Sequence, residues 1–125
     1  FSWILAFDST RQRLYWWYYA GACAVVKTCK APLYYIDMSN VADGGAMPTP
    51  VKAAEVDDGY GHWYWDMTAD GEGNIFLMDW YHIMRFNATD ESLTTLWVED
   101  YLNTGWHFTG VAYWPGTSKL ITSYT

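Results

Sequence analysis

The sequence predicts an all-β fold, and three observations support that prediction. The same hairpin-shaped pattern, an apolar strand followed by a polar turn and a second apolar strand, occurs at residues 5–16, 67–77 and 111–121. Aromatic residues make up 20% of the chain, and their rings favour the pleated, half-buried surface of a strand. No segment keeps an apolar period of about 3.6 residues, so we expect almost no helix.

The individual strands follow from alternating apolar positions that are bounded by turn residues. Glycines at Gly71 and Gly73 supply the positive φ angles of a tight turn between two of them. Two insertions interrupt the first unit, a cysteine-bearing loop at 19–32 and a Gly/Pro-rich loop at 40–50. The predicted strands are 2–7, 13–18, 33–38 and 51–56, then 62–69, 74–79, 81–87 and 93–99, and finally 106–113 and 119–124.

Units of four strands that recur every roughly 40 to 60 residues are typical of β-propeller blades. We therefore predict a partial β-propeller of four-stranded antiparallel blades, with blade-like units at 1–58 and 59–101 and a half blade at 102–125. Closed propellers use roughly four to eight blades, so this number leaves sheet edges and faces open. The chain also begins directly in a strand without Met. We expect it to be part of a longer chain or of a homo- or hetero-oligomer, with other blades or further subunits as partners.

Charge and hydropathy exclude two classes of partner. The net charge of -7 repels the phosphates of nucleic acids, and only Arg11 and Arg13 form a local basic pair. An anionic membrane surface is disfavoured for the same reason. No run approaches the roughly 20 apolar residues that cross a bilayer, and the first residues lack the pattern of a signal peptide. We predict no nucleic-acid binding and no membrane insertion.

Two turns with their flanking strands resemble repeats of known propeller families. Leu5-Ala6-Phe7-Asp8 with Arg13-Leu14-Tyr15-Trp16 resembles the YWTD repeat of extracellular six-bladed propellers. Asp70-Gly71-Glu72-Gly73-Asn74-Ile75-Phe76 with Asp79 is similar to the NHL and gluconolactonase-type propellers, and only this middle unit has an acidic residue at the position of the YWTD Asp. The gluconolactonase-type resemblance implies hydrolysis of a sugar lactone with a divalent metal.

Two weak signals indicate an extracellular compartment. Cys23 and Cys29 are the only cysteines and lie in one loop, where a disulfide is predicted, with a pair of reduced loop residues as the alternative. Asn87-Ala88-Thr89 is an N-glycosylation sequon at an expected turn, although this short pattern also arises by chance. We predict a secreted glycoprotein with a disulfide between Cys23 and Cys29 and a glycan on Asn87.

A metal site is the weaker interpretation of several polar residues. His62 and His107 begin equivalent strands, and with Asp66 and Asp79 they are candidate ligands at one mouth of a channel. Equivalent positions of a repeat more often serve packing or hydrogen bonds between blades, and the ligand spacing is not that of a zinc site. The acidic turn at 70–74 lacks the length and the distal Glu of a calcium loop.

The function predicted from the sequence is that of a secreted, non-enzymatic binding or structural module. Consecutive rings such as Trp16 and Trp17 face opposite sides of a strand, so some stack between blades and others remain for glycans or a neighbouring subunit. No nucleophile motif, phosphate loop or dinucleotide fingerprint is present, so no catalytic residue and no cofactor are predicted. The alternative is a metal-dependent, lactonase-like hydrolase, which requires a divalent metal.

Overall fold

A computed structural model describes residues 4–17, 29–58, 66–99 and 101–125. Over these residues the predicted all-β fold is confirmed, with antiparallel sheets of four, four and two strands. Sheet 1 contains β1 (Ile4–Asp8), β2 (Arg13–Trp17), β3 (Cys29–Asp37) and β4 (Val51–Asp58); sheet 2 contains β5 (Asp66–Ala69), β6 (Asn74–Met78), β7 (His82–Asn87) and β8 (Ser92–Val98); the final hairpin contains β9 (Phe108–Trp114) and β10 (Lys119–Tyr124).

Each sheet is a meander in which every strand pairs with the one that follows it in the chain. The only helical segment within the described residues is α1 (Tyr101–Thr104), whose four residues are far too few to cross a lipid bilayer. The strands lie close to their predicted positions. The propeller that the repeat suggests stays a prediction.

One predicted boundary is wrong. The sequence predicts that the cysteine-bearing loop continues through Pro32 and that the next strand begins at Leu33. Proline also lacks the N–H that a sheet ladder uses. Instead β3 begins at Cys29, and Pro32 pairs with Glu55 of β4. Burial of the adjacent pair Ala31 and Val56 stabilises this extension, and the Trp17 indole N–H donates to the Ala31 carbonyl at 3.0 Å. Tertiary packing therefore outweighs the local signal of the proline.

The two four-stranded sheets have the same pairing registers between their strands. Trp17 pairs with Leu33 in sheet 1, and Met78 pairs with Ile83 at the equivalent place in sheet 2. Directly after Leu33 and after Ile83 the pairing with the fourth strand shifts by one residue, so a β-bulge occupies the same position in both sheets. The repeat seen in the sequence is therefore a repeat of backbone pairing as well.

Successive units pack one face against another. We call the face that carries Tyr15 and Trp17 in sheet 1, and the equivalent face of the later units, the forward face; the opposite face is the rear face. Tyr15 and Trp17 are buried in one cluster with Ile75 and Phe86 on the rear face of sheet 2. A second cluster joins the forward face of sheet 2 to the rear face of the hairpin and consists of Met78, Ile83, Phe108 and Val111, with Leu120 packed against it.

Strand β6 is buried on both of its faces. Ile75 and Leu77 point toward sheet 1, whereas Phe76 and Met78 point toward the hairpin, and all four are buried. The Phe76 ring stacks on Tyr113 of β9 with centroids 6.4 Å apart. The apolar run at 75–78 therefore reflects the position of sheet 2 between two neighbours, because a strand covered on both faces has no polar side.

Candidate functional site

A contact between two turns fixes sheet 1 against sheet 2. The fully buried Asp8 carboxylate accepts hydrogen bonds from the backbone N–H groups of Thr10 and Arg11 at 3.1 and 3.2 Å. The Arg11 guanidinium lies 3.4 Å from Asp8 Oδ2 and donates to Thr89 Oγ1 at 2.7 Å. Its terminal atoms cover the buried backbone of Gly73, and the Thr10 hydroxyl donates to the Gly71 carbonyl. Asp8 thus orders a turn whose side chains bind the next unit.

Two side chains of β5 bind the free edge of β9. Asp66 Oδ2 accepts the Val111 N–H at 3.0 Å, and Thr68 Oγ1 accepts the Tyr113 N–H at 3.1 Å. An unpaired backbone N–H away from water costs about 1–3 kcal/mol, so these bonds stabilise the packing of the hairpin on sheet 2. The other oxygen of Asp66 accepts the Met67 N–H at 2.9 Å. Both oxygens of this carboxylate are therefore engaged in holding the backbone.

Asp79 orders the connection between β6 and β7. Its nearly buried carboxylate accepts the backbone N–H groups of Tyr81 and His82 at 2.8 and 2.6 Å. His82 Nδ1 lies 2.9 Å from both carboxylate oxygens, which holds the ring in one orientation. Next to this turn the His107 ring packs on Trp80 with centroids 4.7 Å apart. These contacts give Asp79 and His107 roles in local structure.

The candidate metal ligands are not brought together within the described residues. His62 lies outside them. Asp66, Asp79 and His107 each have the separate contacts given above, and no group of three or more His, Cys, Asp or Glu side chains with metal-binding geometry occurs in the described part of the chain. The metal site stays a prediction without a ligand set.

The signals for secretion are only partly described. Cys23 lies outside the described residues, so the predicted disulfide with Cys29 stays a prediction. Asn87 ends β7, and its Oδ1 accepts the Thr89 N–H at 2.8 Å, which makes the predicted turn. The Thr89 hydroxyl accepts the bond from Arg11, so the sequon lies beside the contact between sheets 1 and 2. Glycosylation of Asn87 stays a prediction.

A cleft of about 400 Å³ opens between sheet 2 and the hairpin. Phe76, Leu96 and Tyr113 form an apolar part of its wall, and Arg85 and Lys119 contribute cations. The Arg85 Nε is buried without a hydrogen-bond partner among the described residues. The acidic side chains at this cleft are Asp70 and Glu72. Asp70 is engaged by the Glu72 N–H and the Asn74 amide at 2.7 and 2.5 Å, so it orders the turn beside the cleft.

None of the residues that the structure describes covers the rear face of sheet 1, although its residue types match those of buried rear faces. Leu5 is 55% exposed, whereas the residues at the equivalent positions, Met67 and Val111, are 5% and 6% exposed. Phe7 is half exposed on the same face, and Trp16 stacks on Tyr34 with centroids 5.5 Å apart. Exposed apolar surfaces of this kind mark interaction sites.

The forward face of the hairpin is likewise left uncovered by the described part of the chain. Ile121 is 53% exposed, whereas its equivalents Phe76 and Tyr15 are 9% and 0% exposed. Trp114 is half exposed on this face. The stack therefore ends in an apolar rear face at one end and an apolar forward face at the other. Sequence reasoning predicts surplus rings but not which residues they are, because exposure depends on how many units pack together.

Comparisons with known protein families, with curated proteins and with solved structures return no match to this chain.

Proposed function

We propose that this chain is a secreted, non-enzymatic binding or structural module of the β-propeller type, and that it acts as a glycosylated subunit of an extracellular assembly. The observation that carries the proposal is the pair of uncovered apolar faces at the two ends of the stack. Half-exposed Leu5 and Phe7 at one end and Trp114 and Ile121 at the other belong to faces that are buried wherever a neighbouring unit is present. Burying these side chains against a partner contributes a favourable free energy of roughly 25 cal/mol per Å² of apolar surface removed from water.

Three further features support the proposal. The equivalent registers and bulges of sheets 1 and 2 support a repeated blade-like unit. The carboxylates of Asp8, Asp66 and Asp79 hold turns and strand edges, which suits a scaffold. The cysteine pair and the sequon at Asn87 support secretion.

Footprinting with hydroxyl radicals on the protein in its native source material tests this proposal. Oxidation rates of Phe7 and Trp114 are divided by their rates in the denatured chain, with exposed Met47 of the loop as an internal reference. A module bound through its end faces protects Phe7 and Trp114 while Met47 stays reactive. Equal reactivity of all three residues contradicts the proposal. Hydrolysis of a sugar lactone by the purified protein with a divalent metal supports the lactonase-like alternative instead.

A further inference from the structure

The chain contains one kind of interface twice. In both cases the forward face of one unit covers the rear face of the next: Tyr15 of sheet 1 lies 6.1 Å from Phe86 of sheet 2, and Phe76 of sheet 2 lies 6.4 Å from Tyr113 of the hairpin, measured between ring centroids. The pairing registers place Tyr15, Phe76 and Ile121 at equivalent forward positions. The same registers place Phe7 and Tyr113 at equivalent rear positions.

We infer that the chain assembles head to tail, with the forward face of the hairpin of one copy docked on the rear face of sheet 1 of a second copy. This inference rests on the proposed function and names the partner of its end faces. A second copy is the expected partner because each interface within the chain pairs a forward face with a rear face. The two uncovered faces are one of each kind. By equivalence with the Phe76–Tyr113 stack, Ile121 of one copy packs on Phe7 of the next.

The chemistry of the two faces is complementary. Leu5 and Phe7 with the Trp16–Tyr34 stack form an apolar surface, and Trp114 and Ile121 are the apolar side chains that would cover it. The net charge of -7 makes identical chains repel each other. Burial of apolar surface between the two faces is the contribution that offsets this repulsion. Because the two faces differ, the interface is heterologous, and further copies extend it until a ring closes or a filament forms.

Mixing two variants tests this inference by sedimentation velocity of the purified chain. Phe7→Lys blocks the rear face, and Ile121→Lys blocks the forward face; both side chains are half exposed, so folding is retained and is checked by circular dichroism. The wild type is expected to form species larger than a dimer as the concentration rises. Each variant alone is expected to associate about tenfold or more weakly. Their equimolar mixture forms a one-to-one dimer, because it holds one intact pair of faces. Met47→Lys in the exposed loop, as the matched control, assembles like the wild type.

The outcomes separate this inference from the proposed function. A monomeric wild type, or a mixture that stays monomeric, overturns head-to-tail assembly. Self-association of Phe7→Lys alone that is as strong as that of the wild type overturns it as well, because another surface is then responsible. In each of these cases, protection of Phe7 and Trp114 in the native material would still support a binding module that uses a different partner. Lack of that protection would contradict the proposed function itself.

Discussion

Replacing Gly73 by alanine should be far more damaging than an ordinary glycine substitution in a turn. Gly73 is buried and has a φ of 102°, a conformation that costs an L-residue about 1–3 kcal/mol. A Cβ at this position would also lie 2.8 Å from Arg11 Cζ and 2.9 Å from its Nη2, and closer still to Nη1. The guanidinium must therefore move, and it then loses its contacts with Thr89 and Asp8.

The size of the effect follows from these two parts. Losing charged hydrogen bonds of a partly exposed arginine costs about 1–2 kcal/mol, so the total for Gly73→Ala is about 2–5 kcal/mol of unfolding free energy. Gly116→Ala is the matched control, because Gly116 has a φ of 76° and an added Cβ there would meet no atom within 4 Å. It should lose only about 1–2 kcal/mol.

Urea unfolding at equal m-values measures both losses. The double variant Arg11→Ala/Gly73→Ala completes the test, because removal of Arg11 removes the collision. In the Arg11→Ala background, Gly73→Ala should then cost only the backbone part, about 1–3 kcal/mol. Equal losses for Gly73→Ala and Gly116→Ala in the wild type would refute the reasoning that Arg11 locks the turn of sheet 2.

Two further predictions concern single buried groups. Burial raises the pKa of Tyr15, and the Arg13 guanidinium opposes that rise, so the neutral hydroxyl is favoured in the folded state. Its contribution to stability is complete below the unfolded pKa of about 10 and is lost as the pH rises through the folded pKa. Denaturant titrations between about pH 9 and 11 should therefore show a flatter decline of stability for Tyr15→Phe than for the wild type. Asp79→Ala leaves the N–H groups of Tyr81 and His82 without this acceptor and should cost about 2–4 kcal/mol in urea unfolding, with Asp43→Ala in an exposed loop as the control.

Either result can contradict its premise. A Tyr15→Phe chain that loses stability with alkali as steeply as the wild type would show that another group governs that range. An Asp79→Ala chain as stable as Asp43→Ala would mean that the turn between β6 and β7 holds without its carboxylate.

The hairpins could be predicted from sequence because their signals are local. A polar turn with Gly71 and Gly73 between apolar strands specifies β5 and β6 within a few residues, and the same is true of Lys119–Tyr124. Pro32 shows the limit of such signals. Its strand is decided by the burial of Ala31 against residues that are distant in the chain, and no local pattern carries that information.

The candidate site was harder to predict, because most of its contacts join distant residues. Arg11 and Thr89 are 78 positions apart, and no local sequence pattern around either residue predicts the contact. The sequence predicts Asp79 as the last residue of a strand, whereas β6 ends at Met78 and Asp79 begins the connection to β7. A carboxylate at such a position is equally consistent with a ligand or a cap. The local sign that distinguishes them is His82, three residues later, whose ring and backbone both meet that carboxylate.

The burial of β6 on both sides has a consequence for how the molecule denatures. If sheet 1 or the hairpin detached, the side chains of Ile75–Met78 on one face of β6 would be exposed to water. The lost apolar burial would then destabilise sheet 2 as well. The described sheets should accordingly come apart in a single cooperative step, and amide protons of β6 should be among the last to exchange with deuterium. The thermal stability of this protein therefore depends on the two sheets and the hairpin together, and none of them is expected to be stable alone.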